Sequence, residues 1–410
     1  MLTIAYFPEN AIHYKRNMKK NPSLPCLQLG ALAGVHFFVD MIGGTLPGFL
    51  PAVLERFQIS IGTGALLIAC IGIGSNLLQM PAAKLAARCT SNIVLLIGMA
   101  LAGAFVLIGV LPATTPIWAL CLLLLLSGFG TALVHPTGLR GVGALPRPEP
   151  AVATPFFMIG GFLGFSAAPW IGAVLVQKCG FPGLLWLLLP GIVVTSLVVL
   201  SRVRLDRPAE KTEKTAPQPE LTSPWSFRRL LVIAFFLNSG TLTIGSLLPT
   251  VLVDKGFSAS FGGLSAMLFG FGSAVGSLAM GFLSKKIHPA KLIVWSLALG
   301  TPAVFLYLIG ADLPGMAAFA LFAGALASSS FPQIVALTSA ISRGAKQGSR
   351  LAWIVGGSWG AAGVLFLGVG QLASRFGLGM IYSGCLFFAL ALGFALLFPE
   401  KKSFFRKSVQ

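Results

Sequence analysis

Eleven acidic residues occur in the 410-residue chain, and ten of them fall between apolar runs or at their ends. Asp40 is the exception: it lies inside an apolar run, four residues after His36. On a helix that spacing puts both side chains on one face, with Cβ atoms about 5–6 Å apart, within reach of proton exchange. An ionised carboxylate at the middle of a bilayer costs at least about 2.5 kcal/mol, so it must be protonated, paired or turned to a wet cavity. Asp40 and His36 are therefore read as a proton-coupling pair that titrates as one unit. The structural alternative is that His36 bonds a nearby backbone group and Asp40 locks helix packing.

Other polar residues within apolar surroundings are candidates for the wall of a substrate cavity: Asn76, Gln79, His135, Arg140, Asn238, Gln333 and Trp359. His135 and Arg140 lie about 140° apart around a helix, with Pro136 between them, so they need not share a face. Arg140 reads either as an anchor at the inner surface or as a ligand. Trp359 offers a stacking surface or plain bulk. The chain has no GxxxxGK[ST] phosphate loop and no HExxH, and its six cysteines show no CxxC spacing. No nucleotide-driven step, metal or cofactor is expected.

The elements that must carry these groups follow from the composition. The chain is 56% hydrophobic and 10% charged, against roughly 25% charged residues in soluble domains. Crossing about 30 Å of hydrocarbon takes about 20 apolar residues, and twelve such runs are present, at 27–52, 59–83, 93–112, 116–137, 152–176, 182–201, 229–253, 261–283, 290–310, 314–339, 350–373 and 378–398. With both termini inside, 25 of the 29 Lys and Arg fall on the inner side; Arg56, Lys178, Lys255 and Arg375 remain outside. The net charge of +18 is thus explained by topology, and no nucleic-acid partner is expected. The apolar stretch Leu2–Phe7 is too short for a cleavable signal, which leaves the first span as the insertion signal.

The two halves of the chain match each other. At an offset of 198, Leu50-Pro51-Ala52-Val53-Leu54 falls on Leu248-Pro249-Thr250-Val251-Leu252, and Asp40 falls on Asn238. At an offset of 196, Gly160, Gly161 and Gly164 fall on Gly356, Gly357 and Gly360, and His135-Pro136 falls on Phe331-Pro332. These six glycines are read as helix-packing or gating positions. The expected fold is an all-α polytopic membrane protein of twelve transmembrane helices in two pseudosymmetric six-helix bundles. Its parts are a cytoplasmic tail at 1–26, bundles at 27–201 and 229–398, a cytoplasmic linker at 202–228 and a tail at 399–410.

These features resemble the major facilitator superfamily, and within it the fosmidomycin-resistance group. The resemblance rests on His36-x-x-x-Asp40, on Leu77-Leu78-Gln79, on His135-Pro136 with Arg140 five positions after the histidine, and on Gly160-Gly161-x-x-Gly164. It implies two bundles rocking about a central cavity and proton-driven export of a small organic compound. Departures are present too. The loop after the second span carries Ala83, Ala87 and Arg88, and its counterpart carries Gly281, Lys285 and Lys286, without the acid usual in the superfamily. Met158 and Phe162 stand where the group has Gln and Asn, and Thr137 stands where it has Glu, so a more apolar cavity is expected.

The expected function is secondary active transport of a small organic solute by alternating access, as proton-coupled efflux. Two alternatives are a proton-coupled importer of a metabolite or lipid-like solute, and a non-transporting receptor or scaffold on the same fold. An enzyme is not expected. The expected setting is a monomer in the inner (plasma) membrane whose partners are solute, protons and lipid.

Overall fold

The computed structural model describes residues 24–397 except 90, 147, 149, 204, 206–222, 314, 343 and 344. Most of the expected N-terminal tail, most of the linker at 202–228 and the tail at 399–410 lie outside the described residues.

All regular structure among the described residues is helical. In chain order the helices are α1 (Leu24–Phe57), α2 (Ile61–Leu77, then Gln79–Ala87), α3 (Ile93–Gly109), α4 (Ile117–Gly143), α5 (Pro150–Cys179) and α6 (Phe181–Leu200). The second half holds α7 (Phe227–Asp254), α8 (Ala259–Leu283), α9 (Pro289–Ile309), α10 (Met316–Ala340), α11 (Lys346–Phe376) and α12 (Leu378–Leu397). Each of the twelve expected runs falls on one of them. Ten are long and apolar enough to cross a bilayer; α2 qualifies only as a pair bent by 42°, and α3 is a shorter apolar helix. The final residues of α3, Ala104–Gly109, tighten into a 3-10 helix, whose rise of about 2.0 Å per residue recovers part of the missing length.

The interruptions have local causes. In α2 a π-helical segment, Ile73–Leu77, precedes the bend, and the Asn76 amide bonds the Gly72 carbonyl at 3.0 Å within it. In α11 a second π segment spans Trp353–Gly357. Within α10 the helix stops at Ala327 and restarts at Phe331. The carbonyls of Ser328 and Ser329 accept hydrogen bonds from the hydroxyls of Ser273 and Ser277, both at 3.1 Å. Broken backbone inside a membrane needs such partners, and α8 supplies them.

Within the first half α1 lies along α5, and α4 packs on α2 and α3; in the second, α7 lies along α12, and α10 packs on α8 and α9. The halves meet along two seams, α5 with α8 and α2 with α11, while α1 touches α7 at the centre. The repeat extends to the turns. Gly180 after α5 and Gly377 after α11, 197 positions apart, both have positive φ, +65° and +85°, which a side chain would strain. One end of the molecule gathers Lys84, Arg88, Arg140, Lys285, Lys286 and Arg350 and is called the basic end below; the other is the far end.

Candidate functional site

Asp40 sits midway along α1 and is shared by two imidazoles. His36 Nε2, one turn earlier, lies 3.2 Å from Asp40 Oδ2, and His135 Nε2 of α4 lies 2.8 Å from Oδ1. The two histidine rings meet edge to face with centroids 5.0 Å apart. His36 is almost fully buried, whereas the side chains of Asp40 and His135 keep 20% and 25% exposure.

The third wall is α5. Phe157 stacks on the His36 ring at 4.3 Å, and its carbonyl lies 2.9 Å from His36 Nδ1. A carbonyl can only accept, so Nδ1 carries the hydrogen. Gly161, one turn on, faces the pair so closely that a Cβ there would stand 2.6 Å from Asp40 Oδ2 and closer still to His36 Nε2. The neighbouring Gly160 and Gly164 abut the α1 carbonyls of Ala33 and Phe37. The glycine run is what lets α5 lie flush against the titratable pair.

The other candidates disperse. Arg140 reaches the basic end, where its guanidinium donates to the carbonyls of Ala86 (2.6 Å), Cys89 (2.8 Å) and Leu205 (3.1 Å). It ties the end of α2 to the segment after α6, which is the anchor reading. Asn238, the counterpart of Asp40, is buried and donates to Ser358 Oγ of α11 at 2.8 Å. That bond keeps one of its two amide N–H groups within its own half. Asn76 donates its amide N–H groups to the Gly72 carbonyl and the Ser75 hydroxyl of α2.

Gln79 lies at the α2–α11 seam, its Oε1 3.3 Å from where a Cβ on Gly356 would stand. Gly360 abuts Leu77 across the same seam, while Gly357 accommodates Trp353. Trp359 meets Phe331 edge on at 6.2 Å. Gln333 is buried, with no hydrogen-bond partner for its Oε1 among the described residues.

Sequence reasoning paired Asp40 with His36 and kept His135 apart; the structure brings in both. It missed the Phe157 carbonyl, because a backbone partner has no sequence signature, and it missed Ser358, although that residue follows the Gly357 aligned with Gly161. His36, Asp40 and His135 are also the one group among the described residues whose donor atoms lie close enough, within 4.8 Å, to surround a cation. Their short mutual contacts suit a shared proton. Along α5, Met158, Phe162 and Ser166 form a stripe at helical spacing. Ser166 meets Gly270 of α8, while Met158 and Phe162 are 39% and 43% exposed, so the stripe is apolar where it leaves the seam.

Among the described residues, ten candidate spans and one bent pair, with duplicated halves, central polar groups and two interbundle seams, define a membrane transporter architecture. The profile of the Major Facilitator Superfamily matches residues 32–266 and 230–407, and the chain belongs to that family. It is similar to the fosmidomycin resistance protein of Escherichia coli (strain K12), 24% identical over 396 residues that cover 91% of this chain and 93% of the relative. Among solved structures it is similar to a bacterial homolog of the human lysosomal transporter Spinster in an inward-facing, unoccupied conformation, with a TM-score of 0.73 and 16% identity over 91% of this chain and 96% of that one. It is also similar to a POT family transporter in complex with 5-aminolevulinic acid, with a TM-score of 0.67 and 14% identity over 90% and 94%. At such identities the likeness shows the fold.

Proposed function

We propose that this transporter couples export of a small organic solute to protons by alternating access, with Asp40 as the proton carrier and His36 and His135 as its partners. The observation that carries the reading is the carboxylate shared between two imidazoles. With Nδ1 of His36 donating to Phe157, its Nε2 faces Asp40 Oδ2 across 3.2 Å; without a proton there, two lone pairs would oppose each other. His135 Nε2 lies 2.8 Å from Oδ1, where a hydrogen on that nitrogen donates to the carboxylate. The triad as arranged therefore holds one proton between His36 and Asp40. Releasing it makes the contact repulsive and turns the His36 ring off the Phe157 carbonyl, which loosens α1 from α5, the helix that also forms a seam with α8.

The moving bodies are the bundles at 27–201 and 229–398, and the basic end faces the cytoplasm of a cell whose inner membrane holds the protein as a monomer. The fosmidomycin-resistance relative supports export. The apolar stripe at Met158 and Phe162 favours a solute with more apolar surface than a phosphonate.

The test is flux in proteoliposomes of the full-length chain, screened over small organic compounds under an imposed pH gradient. Wild-type protein should drive solute uphill and reverse when the gradient is reversed, whereas Asp40→Asn should retain only downhill exchange. Uphill movement by Asp40→Asn with protons as the sole driving force overturns the coupling.

A further inference from the structure

At the far end, two backbone amides are held by side chains of the opposite bundle. Gly62, the second residue of α2, donates its N–H to Ser374 Oγ near the end of α11 at 2.8 Å. Ser260, the second residue of α8, donates to Gln177 Oε1 near the end of α5 at 2.9 Å. Both hydrogen bonds join the bundles, and both lie at this one end.

They are the same contact made twice. Gly62 and Ser260 are 198 positions apart, and Gln177 and Ser374 are 197 apart. The first turn of a helix leaves its N–H groups without intrahelical partners. In α2 the Ser60 hydroxyl takes the third of these, on Thr63, and in α8 the Ser258 hydroxyl takes that on Phe261, each at 3.2 Å. The second N–H in each helix is left for the other bundle. One turn deeper the seams close on small residues: Ala65 against Gly370, and Gly263 against Ala173, where a Cβ on Gly263 would stand 2.8 Å from the alanine Cβ. Glycine and alanine exchange places between the two seams.

We infer that Gln177 and Ser374 form a reciprocal pair of cross-bundle caps that holds the far end closed. When that end is shut, each acceptor fills an open amide; when it opens, both amides pass to water, so the pair sets the balance between the two access states. The inference rests on the alternating-access reading and makes no use of the proton triad. A net worth of about 1 kcal/mol per hydrogen bond is about a five-fold change in that balance, and two independent bonds multiply.

The test reads distance in the full-length protein in nanodiscs, without solute or pH gradient, so its failure leaves proton coupling untouched. Spin labels are placed on Cys179 and on Asp254→Cys, at the far ends of α5 and α7, with the other five cysteines replaced by alanine. Gln177→Met and Ser374→Ala should each raise the open-to-closed ratio about five-fold, and the double variant about twenty-five-fold. Gln177→Glu should keep the parent distribution, since a carboxylate accepts the same bond and suits a helix N-terminus. An unchanged distribution in the double variant, or an equal shift for Gln177→Glu and Gln177→Met, overturns the inference. Should the double variant not fold, the contrast between the two Gln177 variants decides alone.

Discussion

An imidazole that commits one ring hydrogen to a carbonyl can meet a carboxylate on its other nitrogen only if a proton lies between the two. At His36 the commitment is to Phe157, and the neighbour is Asp40. Gly161 guards the arrangement, because its α-carbon faces both polar atoms. Gly161→Ala should force the His36 and Asp40 side chains apart, lowering stability by about 1–3 kcal/mol as overpacking does. It should also impair pH-driven flux more than downhill exchange. Thermal unfolding in detergent and flux with and without a gradient check both; coupled flux equal to wild type would show that α5 can move aside freely. The pairing of His36 with Asp40 was legible from a spacing of four, the one long-lived regularity of a helix. His135 was not assignable to it, since ninety-five positions of chain separate it from Asp40 and only the crossing of α4 past α1 brings its ring to 2.8 Å.

Element by element, the membrane makes polar backbone expensive, and the chain answers with side chains placed at each break. Arg140 is the clearest case, because its planar fork serves three carbonyls of two segments at once. Arg140→Ala should lower the unfolding temperature, with a cost of about 1–3 kcal/mol from orphaned acceptors, and Arg140→Lys should recover only part of it. Unfolding in detergent measures both, and a Lys variant as stable as wild type would mean that one carbonyl suffices. The twelve apolar runs were legible because hydrophobic length is a one-dimensional property. The π segments at Ile73–Leu77 and Trp353–Gly357 and the gap at Ser328–Ser330 were not. A single inserted residue leaves mean hydropathy unchanged, and serines satisfy broken backbone only once a neighbouring helix is in place.

On the scale of the whole molecule, duplication was readable in the Leu-Pro and Gly-Gly matches, and the fold repeats it in its turns, seams and helix starts. If the halves rock as rigid bodies, pinning one far-end seam should arrest them. Cysteines at Ala173 and Gly263, whose β-carbons would need to part by about 1 Å to reach disulfide geometry, should cross-link under oxidation. Flux should stop and return on reduction; undiminished flux in the cross-linked protein would exclude opening at that seam. The two halves nevertheless differ where it matters, since Asn238 is bonded to Ser358 and carries no titratable group. Under the proposed coupling, the proton is then carried by the first bundle. For an electrically neutral solute exchanged against a single proton, each turnover shifts one positive charge, so membrane voltage becomes a second power source, able to drive the cycle even when the pH on the two sides is equal.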